Sequence, residues 1–565
     1  MIKFHEIEYV RPDLEQMKEN SLKVVDKLAN ASSFEEAKEC ILEWDRILGD
    51  LSSAHTVAYV RNTMNTQDEF YDKEIEFFNN EYPKLIPAMK QYRKALLNSK
   101  FREELEEEFG KQLFRLAEVE EKTQDEAIVE DLIEESRLGM EYQKIVASCN
   151  TEFNGEECNF YGLLKYMQSP DRNVRKEAYL AWARLYEGVS EELDRIFDSL
   201  ISIRVTMAKK FGFDNYTFLG YLDNNRIDYT REDVKSFREQ IKKVIVPFCE
   251  KVRKAQAERI GVDSIKYYDE MYMFPEGNPK PVGDKDQMVK WAQEMYNEMS
   301  KETGEFFNFM VEYDLFDLET RPGKHLGGYC TSMPNFKAPF IFSNFNGTSA
   351  DVDVLTHEAG HAFEYYVSSR NVPLDSLSFS TSEINEIHSM TMEYFAYPWM
   401  DKFFGDKADM YKYYHMCETI LTIPYLACVD EFQHKVYDNP SMSAEERYKV
   451  WRDLEKEYLP GRDYDGVEFL EKGGFWMQKQ HIFLYPFYYI DYALAQMNAL
   501  ELYARFTEDR EKAFSDYLAL CKKGGSLGYF ELLESANLSN SFEEGTVEKV
   551  TKKIFTEIEE MGKRL

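Results

Sequence analysis

The stretch Asp353-Val-Leu-Thr-His357-Glu358-Ala-Gly-His361 constrains this chain more than any other. Its two histidines are four residues apart. On an α-helix that spacing puts both imidazoles on one face, one turn apart, where they can grip a single Zn²⁺. Glu358 is turned from the first histidine by about a quarter of a circle, so it reaches toward a water on the cation and not into the same coordination plane. Fixed ligands, an open position and a neighbouring carboxylate are the parts of a hydrolytic zinc site. Histidine is rare here, 9 in 565 residues, and a chance match to H-E-x-x-H is on the order of a one-in-a-hundred event. Asp353 lies one turn before His357 on the same face, where a carboxylate holds the far nitrogen of a ligand histidine and selects its tautomer. Gly360, between the histidines, weakens the helix and points to another backbone packed closely against it.

The bulk composition narrows the partners. A net charge of −34 repels nucleic-acid phosphates and anionic membrane surfaces, so neither is an expected partner. The eight cysteines include no C-x-x-C pair, which argues against a thiolate zinc site, a redox motif and a disulfide framework. The N-terminus has no apolar signal-like core, and no apolar run approaches membrane-spanning length. The expected setting is the cytoplasm.

Most of the chain shows helical periodicity. Ser32-Ser33 followed by acids is a helix start signal, Thr230 is a good N-cap, and Ser169-Pro170-Asp171 starts another helix. Residues 100–145 predict an amphipathic helix whose apolar face carries Leu105, Phe109, Leu113, Leu116 and Val119 and whose acidic face is solvated. Residues 152–157 read as a polar turn around Gly155. Only 323–331 and 339–345 are β-prone. They predict a small sheet just before the metal helix, either a brace for that helix or an edge that takes an extended peptide as one more strand. A loop at 371–381 follows the metal helix, then a second helix from 382 to about 399. A catalytic zinc usually takes three protein ligands, and this second helix offers Glu383, Glu386, His388 and Glu393. Spacing alone does not choose among them.

The segments His357-Glu-Ala-Gly-His361, Phe340-Ile-Phe-Ser-Asn-Phe-Asn-Gly and His481…Pro486-Phe-Tyr-Tyr-Ile-Asp-Tyr492 together resemble the oligoendopeptidase F and thimet oligopeptidase family of zinc metallopeptidases. The Pz-peptidase branch is nearest. Ser169-Pro-Asp-Arg and Phe211-Gly-Phe-Asp-Asn-Tyr extend the likeness to roughly residues 165–510. The resemblance implies that Glu386, 29 residues past His357, is the third ligand. It makes Glu358 the general base, and it places Glu393 and Asp353 as acids supporting the ligands. It implies that His481, with tyrosines among Tyr485, Tyr488, Tyr489 and Tyr492, stabilises the tetrahedral intermediate; Tyr488 and Tyr492 share a helical face. The implied fold is mainly α, a large helical ellipsoid with a deep central channel and one small β-sheet next to the zinc helix. An N-terminal helical region, 1–185, and a catalytic region, 186–565, would enclose that channel. The implied activity is that of an endopeptidase carrying one Zn²⁺ per chain and cutting short unstructured oligopeptides. A dipeptidyl carboxypeptidase or metal carboxypeptidase with the same site is the alternative.

Overall fold

The computed structural model describes residues 2–325 and 327–565. Helices hold 72% of the chain, and among the described residues β structure is confined to two small sheets. No helix among the described residues is long and apolar enough to cross a membrane. All eight cysteines are free thiols. The chain divides into two compact units, neither contiguous in sequence: Met1–Asp125 with Lys280–Ala408 and Asn498–Ser539, and Glu126–Pro279 with Asp409–Met497 and Asn540–Leu565.

In the first unit, α1 (Phe34–Met64) starts at Ser33, whose hydroxyl accepts the Glu36 N–H at 3.2 Å. Its apolar face, including Cys40, Ile41, Trp44 and Ile47, enters a core with Val24, Leu28, Leu96 and Phe114. Trp44 and Tyr92 stack face to face there, with centroids 4.0 Å apart. The single amphipathic helix expected from residue 100 onward is interrupted. It becomes α2 (Arg102–Phe109), α3 (Lys111–Thr123) and a third helix, Val129–Ser148, that belongs to the second unit, with Gly110 between the first two at φ 88°. That left-handed backbone is cheap only for glycine, and the change of direction lets Leu105, Phe109 and Phe114 all reach the same core.

The second unit contains a hairpin, β1 (Thr151–Phe153) and β2 (Glu156–Cys158), where the sequence suggested only a turn. Asn154 and Gly155 both have positive φ, 53° and 80°, which is the two-residue turn whose twist suits antiparallel strands. The structure therefore holds a second small sheet beyond the one expected. The 39-residue helix Arg172–Lys210 follows, opened by Asp171, whose carboxylate accepts the Asn173 N–H. Thr230 caps its helix with a reciprocal bond from Asp233.

The sheet that matters for the site belongs to the first unit. It contains β3 (Phe316–Glu319), β4 (Tyr329–Met333) and β5 (Ala338–Phe345) in the order β3-β5-β4. β5 is central, parallel to β3 and antiparallel to β4, and is buried at every position except Asn344, which is only partly covered. The β-prone run at 323–331 is a strand only from Tyr329; Leu326, within it, lies outside the described residues. Lys324 pins the connection between β3 and β4: its ammonium donates to Asp317, to the carbonyls of Asp317 and Glu319, and to Ser343 O on β5. β5 leads directly into α4 (Ala350–Ser368), and α5 (Ser382–Phe395) packs across it. In the late part of the chain, α6 (Gln480–Leu484), α7 (Ile490–Phe506) and α8 (Arg510–Lys523) complete the elements used below.

Candidate metal centre

The metal helix α4 is anchored at its start. The Asp351 carboxylate accepts the N–H groups of Asn346 and Gly347 at 2.9 and 2.8 Å, tying the end of β5 to the first turn. Asp351 and Asp353 also place negative charge at the positive end of the helix dipole. Farther along, α4 and α5 touch backbone to backbone. A Cβ on Gly360 would stand 2.5 Å from Ser389 Cα and 2.6 Å from His388 O, so only a glycine admits this crossing. The close approach inferred for Gly360 from sequence is therefore present, and it brings the second helix within reach of both imidazoles.

His357, His361 and Glu386 each contribute one ligand atom to a cluster with all separations within 4.8 Å. Nε2 of His357 lies 3.3 Å from Glu386 Oε2, and Nε2 of His361 lies 3.4 Å from the same oxygen. The rings are 5.1 Å apart and nearly perpendicular, at 83°. Ligand atoms bonded at 2.0–2.2 Å to a tetrahedral zinc stand about 3.3–3.5 Å from one another. The two N···O edges match that figure and exceed a charge-assisted hydrogen bond of about 2.7–2.9 Å. The donor set, two imidazoles and one carboxylate with a fourth direction left over, suits a catalytic zinc. Ser389 Oγ donates to Glu386 Oε2 at 2.9 Å and steadies the carboxylate.

The other carboxylates have distinct places. Glu393 Oε1 is 2.7 Å from His357 Nδ1, a direct hydrogen bond that turns Nε2 toward the cluster. Glu393 thus occupies the nitrogen at which Asp353 was also expected; Asp353 sits partly covered in the first turn of α4. Glu358 is buried. A Cβ at Gly328, just before β4, would press on Val354 Cγ1 at 3.2 Å and make ordinary contact with Glu358 Oε1 at 3.8 Å, so this stretch of backbone passes close beside the carboxylate. Burial raises the Glu358 carboxyl above its ordinary range, against the lowering pull of His357 and His361. Burial also opposes the charge on Glu386, but His361 and His357 hold its carboxyl well below that range. Of the remaining candidates on α5, neither Glu383 nor His388 joins the cluster. His388 is fully buried and faces Glu364 instead.

The second unit carries its own aromatic cluster. His481 on α6 is ringed by Tyr489, Tyr485, Tyr488 and Tyr492, with centroids 4.7, 5.9, 6.0 and 6.3 Å away. Tyr488 and Tyr492 touch edge to face at 5.3 Å. Phe487 holds the turn between α6 and α7. Its φ is +65°, costly for a residue with a bulky side chain. Its N–H donates to Gln433 Oε1 at 3.0 Å, and its carbonyl accepts from the Arg226 guanidinium. Its ring packs on Tyr216, Tyr221, His434 and Tyr437. Sequence reasoning passed over Phe487, Ser389 and Glu364. The last two stood at helical spacing from residues already singled out, three past Glu386 and three past His361. Nothing in the sequence marks a phenylalanine for a left-handed backbone.

Known proteins resemble the chain along most of its length. A peptidase M3 N-terminal domain matches residues 4–124 and peptidase family M3 matches residues 165–551. An oligoendopeptidase F homolog of Borreliella burgdorferi is 25% identical over 405 residues, which is 68% of this chain and 66% of that protein, just under two thirds of its length. Oligopeptidase PepF of Bacillus subtilis is 21% identical over 568 residues, 95% of this chain and 82% of that one. Among solved structures, a PZ peptidase A with inhibitor is 45% identical, covers 99% of both chains and has a TM-score of 0.94. A putative oligoendopeptidase F from Bacillus anthracis is 44% identical, with a TM-score of 0.89 over 100% of this chain and 99% of the other. The family match runs through both helices of the candidate metal centre and through the late aromatic segment, and on that basis the chain belongs to peptidase family M3.

Proposed function

We propose that this protein is a zinc-dependent endopeptidase that hydrolyses internal bonds of short, unstructured oligopeptides in the cytoplasm, with one Zn²⁺ per chain. The observation that carries the proposal is the pair of 3.3 and 3.4 Å edges from one Glu386 oxygen to the two histidine nitrogens. The names borne by the relatives point the same way. His357, His361 and Glu386 are the proposed ligands, Glu393 orients His357, and zinc so held supplies an acidified water and polarises the scissile carbonyl.

Within this proposal Glu358 takes the water proton on its carboxylate and delivers it to the departing amine. A buried carboxyl with a raised proton affinity is suited to both halves of that transfer. β4 is the end strand of its sheet, and Gly328, just before it, runs close beside Glu358. An extended peptide laid along β4 would present its backbone by strand addition, with little demand on side-chain identity. His481, Tyr485, Tyr488 and Tyr492 are the proposed donors to the negative charge on the former carbonyl oxygen. The test is a quenched-fluorescent peptide with its product map. Wild type should cut internally, and Glu358→Gln should lose turnover while keeping its zinc. Normal turnover by that variant refutes the assigned base, and release of C-terminal fragments alone favours an exopeptidase.

A further inference from the structure

The two candidate histidine ligands are backed unequally. His357 stands between Glu386 at 3.3 Å and Glu393 at 2.7 Å. His361 stands between Glu386 at 3.4 Å and Glu364, whose Oε2 is 4.0 Å from its Nδ1. Glu364 lies one turn after His361 on α4, and its side chain has no exposed surface. The same Glu364 oxygen is 3.3 Å from Nδ1 of His388, which is equally buried and lies two residues past Glu386 on α5. Neither oxygen of Glu364 and neither ring nitrogen of His388 meets a partner in hydrogen-bond geometry. A carboxylate sealed from water without a donor is costly. The donors that would satisfy it are already its neighbours: the Nδ1–H groups of His361 and His388. A proton on Nδ1 of His361 leaves the lone pair on Nε2, the atom that faces Glu386.

We propose that Glu364 is the positioning residue for His361, held in place by His388, so that this buried pair sets the tautomer and metal affinity of the second histidine ligand. It does from α4 what Glu393 does for His357 from α5. The pair is closed in by α8, where Tyr517 donates its hydroxyl to His388 O at 3.0 Å and lies edge-on to the imidazole. The arrangement also couples the helices: Glu364 rides on the helix of the two histidines, His388 on that of Glu386. This inference rests on the zinc reading above.

The test is the zinc Kd, measured by competition with a chromophoric chelator on wild type, Glu364→Gln, His388→Gln and the double variant. The apo-protein Tm and the visible spectrum of the cobalt-loaded forms accompany it. Glu364→Gln should bind zinc about 10–100-fold more weakly with a shifted cobalt spectrum. His388→Gln should weaken binding in the same direction, and the double variant should be no worse than Glu364→Gln alone, because both act through one contact. Zinc affinity within twofold of wild type in both single variants overturns the inference, whether or not the apo Tm falls. If wild type itself holds no zinc, the proposed function fails and takes this inference with it. Zinc-binding wild type with unchanged variants sinks the inference alone.

Discussion

Substituting Gly360 by alanine tests how the site is assembled. The new methyl carbon would stand 2.5 Å from Ser389 Cα, 2.6 Å from His388 O and 3.0 Å from His388 C. Ordinary carbon contacts begin near 3.5 Å, so α4 and α5 must part by about 1 Å at the crossing. All three obstacles are backbone atoms, and no side-chain rotation relieves them. Glu386 is one turn before Ser389 and travels with it. An edge of 3.3 Å would open toward roughly 4 Å, whereas metal sites tolerate about 0.2 Å in ligand distances. Zinc affinity should fall at least as far as when supporting residues are removed, about 10–100-fold. The effect on stability is mixed. Alanine gains about 0.5–1 kcal/mol in a helix interior over glycine, and overpacking costs about 1–3 kcal/mol, so the apo protein should lose at most a few kcal/mol and stay folded. The assay is zinc Kd by chelator competition beside the apo Tm and peptide turnover at saturating zinc. A Gly360→Ala protein with wild-type zinc affinity would refute the reasoning, because the helices could then separate without moving the ligand.

Other outcomes follow from the same geometry. Glu358→Gln should reduce turnover by about 10²–10⁴-fold with zinc content unchanged by elemental analysis. Glu386→Ala should strip or greatly weaken the metal; full zinc content in that variant would remove Glu386 from the ligand set. Gly220→Ala would place a methyl 2.8 Å from the Phe487 ring and should cost about 1–3 kcal/mol of stability. It should also lower kcat with zinc affinity intact, and an unchanged kcat would separate the Phe487 turn from catalysis.

How much of this was legible beforehand depended on the range of the interaction. The i,i+4 histidines are a local consequence of helix geometry, and Gly360 marks by its missing side chain where a distant backbone packs; both are present in the folded chain. The caps at Ser33 and Thr230 are equally local. The choice among Glu383, Glu386, His388 and Glu393 was not local. It depends on the rotation of α5 about its axis as it crosses α4, which packing against Gly360 and α8 decides. Residue spacing therefore left it open, and only the family resemblance singled out Glu386. The break at Gly110 was hidden because apolar spacing continues through it on both sides. The hairpin at Asn154-Gly155 was hidden because its strands are three residues long and mostly polar. The Glu364–His388 pair escaped because buried charge has no signature in a one-dimensional pattern.

Anomalous diffraction at the zinc absorption edge, on crystals grown with the metal, addresses the account at its centre. It predicts a single strong peak about 2.0–2.2 Å from Nε2 of His357, Nε2 of His361 and Oε2 of Glu386. A peak held by other side chains, or no peak among these three atoms in zinc-saturated crystals, would contradict it.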